Sequence, residues 1–234
     1  MNNNKSSERI SKVIARSTSY SRRQVEHLVS EGRVKIDGKI ITKPGVNVSK
    51  NNTIHLDNKI VRFKNIDELY IFSKPRGCLV THSDPKRRKT IFNLLPKQFE
   101  KLISIGRLDY NSEGLILLTN NGDLKRNLEL PKNNFERIYK VKVQGKVDPK
   151  LIDRLKRGFY ANKVKYKSII AKIDNASETY CWLTIKLKEG KNREIRNIFE
   201  SVNMTVTRLI RISYGPYKLG KLQKSQYRKI NIIE

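Results

Sequence analysis

Gly106-Arg107-Leu108-Asp109-Tyr110-Asn111-Ser112-Glu113-Gly114-Leu115-Ile116-Leu117-Leu118-Thr119-Asn120 is the most informative stretch of the 234-residue chain. A polar loop bounded by glycines feeds a strand that is apolar at every position from 115 to 118. Apolar residues that do not alternate with polar ones predict a strand covered on both faces. Such a strand holds the preceding loop rigidly, and rigidly held polar loops are where functional groups concentrate. Asp109 lies in that loop beside Arg107. On spacing alone, an ordinary loop aspartate paired with an arginine is the favoured reading.

Working outward, residues 69–73, 115–119, 139–143 and 180–187 are rich in β-branched and aromatic side chains and predict strands. Helical patterns lie between them, notably at 149–157 and 192–202. Strands and helices intermixed without a regular βαβ rhythm favour an α+β domain on a mixed, largely antiparallel sheet, here residues 65–234. A smaller module precedes it, residues 1–64, with Asn65-Ile66-Asp67-Glu68 as the expected linker. In this module residues 8–15 predict a short helix with Ile10, Val13 and Ile14 on one face. Ser21-Arg22-Arg23-Gln24 forms a capping box for a second helix, which buries Val25, Leu28 and Val29 and stops at Gly32. Residues 34–36 and 39–41 flank Asp37-Gly38, a strong hairpin signal, and strand character continues at 53–56 and 60–63. The opening Asn3-Asn4-Lys5-Ser6-Ser7 is expected to be disordered.

Lys and Arg number 50 against 22 Asp and Glu, a formal charge of +28 with a pI near 10.2. A compact globule so charged repels itself, and nucleic acid is the first polyanion implied. A lysine-rich background contributes to the count, yet both halves carry the excess. Neither a lipidation signal nor a long basic amphipathic helix supports a membrane partner, and the longest apolar runs are too short to span a bilayer. Residues 1–8 lack the apolar core of a signal peptide. Cys78 and Cys181 are far apart, and His27, His55 and His82 are scattered, so neither a disulfide framework nor a metal site is expected. A monomer in a reducing cytoplasm is the resulting expectation.

Arg16, Arg22, Arg23, Arg33 and Lys35 cluster around the second helix and the first hairpin strand of the small module. Arg22 and Arg23 in a first helical turn oppose the helix dipole, whereas a phosphate docked on the same N–H groups reverses the sign. A solvated basic face without a specific partner fits the same pattern. The strings Glu8-Arg9-Ile10-Ser11-Lys12-Val13-Ile14-Ala15-Arg16, Ser21-Arg22-Arg23-Gln24-Val25-Glu26 and Glu31-Gly32-Arg33-Val34-Lys35-Ile36-Asp37-Gly38-Lys39 resemble the small RNA-binding domain named after ribosomal protein S4. The resemblance spans nearly all of residues 8–60. It implies docking on structured RNA by shape and phosphate contacts.

The stretch from Gly106 to Asn120 resembles the catalytic motif of the pseudouridine synthases, in the bacterial ribosomal branch that joins an S4-like domain to a synthase domain. Lys74-Pro75-Arg76-Gly77, Arg137-Ile138-Tyr139-Lys140-Val141, Glu189-Gly190-Lys191-Asn192-Arg193-Glu194-Ile195-Arg196 and Arg208-Leu209-Ile210-Arg211-Ile212-Ser213-Tyr214-Gly215 follow the same branch in the same order. The Asn-Arg-Glu-Ile-Arg form is nearer the large-subunit enzymes. The resemblance implies isomerisation of a uridine in ribosomal RNA, with 23S RNA of the large subunit favoured over 16S RNA of the small subunit, and with no cofactor and no metal. A non-catalytic RNA-binding assembly factor is the alternative of another class.

Carried over by residue, Asp109 is the essential acid that attacks or deprotonates the ribosyl moiety once the target has left its stack. Tyr139 stacks on the flipped base, although the pattern also fits a strand aromatic in the core. Arg196 pairs with the catalytic carboxylate, holding it ionised, with Arg193 as the other candidate. Ile195 forms an apolar floor beneath the base, and Arg107 contacts or replaces the extruded nucleotide. Lys74, Arg76 and Arg193 join the RNA-binding set, as does the basic loop 82–90. Asn120-Asn121-Gly122 departs from the family's usual Asn-Asp-Gly, a change the same turn tolerates.

Overall fold

A computed structural model describes residues 7–62 and 67–233. Most of the opening polar stretch, Phe63 of the expected strand at 60–63, and Asn65 and Ile66 of the expected linker lie outside these residues. The chain divides into two compact units, Met1–Asp67 and Glu68–Glu234. Glu68 belongs to the second unit because its N–H donates to Asn120 Oδ1 at 2.9 Å and its carbonyl accepts from the Thr119 hydroxyl at 2.6 Å.

The first unit begins with β1 (Glu8–Arg9), α1 (Ile10–Ser17) and α2 (Arg22–Ser30). It continues through β2 (Val34–Ile36), β3 (Lys39–Ile41), β4 (Asn47–Val48), β5 (Ile54–Leu56) and β6 (Lys59–Ile60). The first helix starts at Ile10 rather than residue 8 because Glu8 and Arg9 pair with Val48 and Asn47, and Ile10 N–H donates to the Val46 carbonyl at 2.9 Å. The capping box on α2 is complete in both directions, and Gly32 takes φ +72° just past the helix end. Asp37 and Gly38 both adopt positive φ, the requirement of a two-residue turn whose twist matches the β2–β3 hairpin. Ile10, Val13, Ile14, Val25, Leu28 and Val29 close on Val34, Ile54 and Leu56 to form a core of the unit's own.

In the second unit β7 (Leu69–Lys74), β8 (Ile103–Ile105) and β9 (Glu113–Thr119) lead to α3 (Gly122–Glu129). Next come β10 (Arg137–Gln144), α4 (Pro149–Arg157), the hairpin β11 (Phe159–Ala161) and β12 (Val164–Tyr166), β13 (Ile170–Ala176) and β14 (Tyr180–Leu187). The unit ends with α5 (Glu194–Glu200), β15 (Val206–Tyr214), β16 (Tyr217–Lys218) and β17 (Tyr227–Ile230). One sheet runs β13-β14-β10-β15-β9-β7-β17, with β8 beside β9 and β16 beside β15. Among its described pairings only β9–β15 is parallel, which makes the α+β sheet mixed and largely antiparallel.

Every residue of β9 is buried. Ile116 and Leu118 face one core with Phe72, Val141 and Leu183, while Leu115 and Leu117 face a second with Leu69, Ile71 and Tyr214. That is why the strand reads as unbroken apolar sequence. Helix α5 is shorter than the predicted 192–202 because Arg193 sits at φ +48°, outside the right-handed helical region. Among the described residues, no helix is long and apolar enough to cross a membrane.

Candidate active site

Asp109 occupies a tight turn directly before β9, closed by Ser112 N–H donating to the Asp109 carbonyl at 3.0 Å. The three following carbonyls are met by cations. Lys74 Nζ donates to Tyr110 O at 3.3 Å, Ser112 O at 2.8 Å and Pro75 O at 3.0 Å. Arg196 Nη2 donates to Asn111 O at 3.3 Å while its Nη1 donates to Val206 O at 2.8 Å. Gly77 N–H adds a bond of 2.9 Å to Tyr110 O. A turn carrying negative carbonyl dipoles toward the interior would otherwise leave them unsatisfied, at about 1–3 kcal/mol each. The two cations therefore brace the backbone that carries Asp109.

This arrangement corrects the expectation for Lys74. Its side chain is completely buried, with its ammonium committed to three backbone oxygens, so it is a brace and not an RNA contact. Burial lowers its pKa, while the nearby Cys78, Asp109 and Glu113 act to keep it protonated. Arg196 also differs from expectation. Among the described residues it makes no ion pair with Asp109, and its contact is with the backbone of the Asp109 turn. Burial lowers its pKa, neighbouring Arg193 and Arg76 add to that, and the negative charge of Asp109 opposes them. Its Nε is buried with no hydrogen-bond partner among the described residues. Arg193 instead pairs with Glu200 at 3.1 Å, so of the two candidates Arg196 is the one that reaches the turn.

A cavity of about 770 Å³ opens beside the turn, lined by Arg107, Asp109, Tyr139, Ile195, Leu209 and Arg211 among others. Asp109 is half-buried at its wall, and Arg107 is exposed. Tyr139 stands on β10 where the pairing with β15 shifts register between Ile138 and Tyr139, an irregularity of the kind that re-aims a side chain. Its ring is also part of the large core, so the two readings of Tyr139 are compatible. Ile195 is buried at the start of α5 and lines the same cavity. Arg76 is exposed on the turn after β7.

The basic cluster of the first unit is largely engaged internally. Arg16 pairs with Glu8 at 3.1 Å and Arg22 with Glu26 at 3.2 Å. Arg33 makes two bonds of 2.7 Å to Asp57, and Lys35 donates to Asn58 Oδ1 at 3.0 Å. Arg23 is exposed in the first turn of α2. The exposed pairs, Arg22–Glu26 and Arg33–Asp57, contribute about 0–1 kcal/mol and exchange readily for phosphate. In the loop at 82–90, Arg88 holds Asp84 through bonds of 2.7 and 3.1 Å, and these hydrogen bonds lower the Asp84 carboxyl to about 2.

Several supporting groups lay beyond the sequence pattern. Glu113 is buried at the first position of β9 and receives Arg208 at 2.8 and 3.1 Å and Lys224 at 3.2 Å. Burial pushes its pKa up, but these cations outweigh that and hold it below the ordinary carboxylate value. Arg137 donates to the Tyr214 hydroxyl at 2.9 Å and to the Lys188 carbonyl at 3.0 Å, tying β10 to the segment before α5. Asn121 caps α3, accepting from Asp123 and Leu124 N–H at 2.8 and 3.1 Å. Asn and Asp cap about equally well, which explains the tolerated departure there as a capping position rather than a turn.

Residues 68–201 match the family model described as RNA pseudouridylate synthase, and residues 8–54 match that of the S4 domain. An uncharacterized RNA pseudouridine synthase of Rickettsia conorii is 41% identical over 95% of this chain and 96% of its own length. The ribosomal large subunit pseudouridine synthase B of Yersinia pestis is 36% identical over 92% of this chain and 69% of its own. A crystal structure described as a pseudouridylate synthase superposes with a TM-score of 0.66 at 25% identity, covering 95% of this chain and 96% of the other.

Proposed function

Because the chain belongs to the RNA pseudouridylate synthase family and converts uridine to pseudouridine in RNA, we propose that its substrate is ribosomal RNA of the large subunit, with Asp109 as the catalytic residue. Two observations support this reading. Relatives named ribosomal large subunit pseudouridine synthase B, from Yersinia pestis and Salmonella typhi, are 36% and 38% identical over 92% of this chain. The half-buried carboxylate of Asp109 also stands at the wall of a cavity large enough for a nucleotide, on a turn braced by Lys74 and Arg196.

In this reading the target uridine leaves its stack and enters the cavity. Asp109 attacks or deprotonates the ribosyl group, the N1–C1′ bond breaks, the uracil turns, and C5 bonds to C1′. The proton displaced from C5 is balanced by the proton gained at N1. Tyr139 stacks on the base, Ile195 packs beneath it, and Arg107 at the rim meets the strand from which it was extruded. Bracing the turn confines Asp109 to one geometry before the substrate arrives, so little reorganisation remains to be done during the reaction.

Pseudouridine mapping of ribosomal RNA from cells with and without the protein tests the substrate. One or a few large-subunit positions are expected to disappear. Loss confined to small-subunit RNA would overturn the substrate, and no loss at all would place it outside ribosomal RNA. The purified Asp109→Asn variant tests the residue. Asparagine preserves size and removes the charge and the nucleophilic oxygen, so no pseudouridine is expected even with excess enzyme, while RNA binding persists. Undiminished product would refute the assignment.

A further inference from the structure

Glu194 opens α5 with its carboxyl buried at 4% exposure on the wall of the same cavity. Its Oε2 accepts Lys191 N–H at 3.0 Å, and its Oε1 meets no hydrogen-bond donor among the described residues. The neighbouring carboxylate is Glu189, close enough for a side-chain hydrogen bond between the two carboxyls; its Oε1 accepts Lys167 N–H at 2.6 Å and its Oε2 lies 3.4 Å from Lys191 Nζ. Three of the nearby cations are shared with other partners. Lys191 Nζ also donates to the Lys165 carbonyl and lies 5.3 Å from the Tyr166 ring centre. Arg137, from β10, donates to the Lys188 and Glu189 carbonyls at 3.0 and 3.4 Å, and Arg193 turns to Glu200. One ammonium, shared three ways, is thus the nearest compensation for two carboxyls.

Two ionised carboxylates carry only acceptors and cannot bond to each other. A proton on one supplies the missing donor. We propose that Glu194 is a positioning residue that works as the neutral acid, donating to Glu189 and thereby holding the segment 189–193 in place as one wall of the Asp109 cavity. Gly190, Lys191, Asn192 and Arg193 all line that wall. The electrostatics of the site point the same way. Burial, and after it the charge of Glu189, raise the Glu194 carboxyl to about 7, with the Lys191 backbone and charge opposing. Above neutrality both groups ionise, the buried pair repels, and the wall loosens. Bound RNA adds negative charge nearby and favours the protonated form, so substrate strengthens the arrangement it needs. The proposal rests on the cavity being the reaction site.

The test measures kcat and KM from pH 5.5 to 9 with the full chain and ribosomal RNA lacking the modification. For the wild type, kcat/KM should fall by up to about tenfold per pH unit above neutrality, the slope of one titrating group, with the fall in kcat displaced to higher pH. Glu194→Gln places an amide that accepts from Lys191 N–H and donates to Glu189 at every pH, so this alkaline fall should largely vanish. Glu189→Gln, at the more exposed partner, should flatten it as well by removing the repulsion, and it carries the test if Glu194→Gln does not fold. Superimposable pH profiles, or a uniform loss at all pH values, would overturn the proposal. Thermal melting supplies an arm independent of catalysis. A carboxyl whose folded pKa is raised binds more protons in the folded state, so wild-type stability should fall relative to Glu194→Gln between about pH 4.5 and 7. A wild type that makes no pseudouridine at any pH would count against the functional reading. In that case, a melting difference that does not change with pH would overturn the shared proton as well.

Discussion

Lys74 shows how a single side chain can serve chemistry without meeting substrate. A buried ammonium is expensive unless every donor is used, and here three carbonyls from two chain segments use it. Removing it leaves the Pro75 and Ser112 oxygens without this donor, and only Tyr110 O keeps a second bond, from Gly77 N–H. Lys74→Met, close in length and unable to donate, should therefore lower stability by about 3 kcal/mol, within the usual range for breaking a buried charged network. It should also reduce kcat by at least about tenfold, because small displacements of a reacting group cost that much or more. KM should move little, since Lys74 presents nothing to RNA. Urea unfolding and steady-state kinetics read the two effects, and a purely KM defect would restore Lys74 as an RNA contact.

Among the elements, β9 and β15 make the arrangement possible. Their parallel pairing sets Glu113 against Ile210 and Gly114 against Arg211 at the point where the catalytic turn enters the sheet. Gly114 has φ +101°, and a Cβ there would lie 2.2 Å from the Arg211 carbonyl oxygen. The three nearest atoms are all Arg211 backbone, so no flexible side chain is there to give way. Gly114→Ala should consequently displace β15 from β9 and cost upward of about 3 kcal/mol, to be read by thermal melting. Arg211 would move with its strand, losing the 2.8 Å bond from its Nε to the Leu115 carbonyl, so activity should fall more than residual folding explains. Unchanged melting would show that the two strands can separate locally at no cost.

For the molecule as a whole, charge and division into units govern how RNA is engaged. The net charge of +28 implies release of many condensed counterions, so affinity for ribosomal RNA should drop by orders of magnitude between about 50 and 200 mM salt. Filter binding across that range checks it, and a flat response would remove phosphate contact as the main source of affinity. The two units have separate hydrophobic cores. Deleting Met1–Asp67 should leave a cooperatively melting second unit that turns over slowly at limiting RNA and recovers much of its rate at saturation. Equal turnover at limiting RNA would make the S4 unit dispensable.

Sequence by itself determined whatever is written in short-range pattern. The buried strand at 115–118, the α4 boundaries, the capping box at Ser21 and the Asp37-Gly38 hairpin all follow from interactions spanning a few residues. The motif resemblance likewise located the Asp109 turn and the candidate set around it. Tertiary structure decided which charges are spent internally. Lys74 meets Ser112 across 38 positions and Arg196 meets Asn111 across 85, distances over which local pattern carries no information. A lysine intended for phosphate and one intended for a buried carbonyl look identical in one dimension. Glu194 is the same case in reverse: its environment, not its residue type, raises its carboxyl to about 7, because burial beside a second carboxylate exists only once α5 and the segment before it have packed.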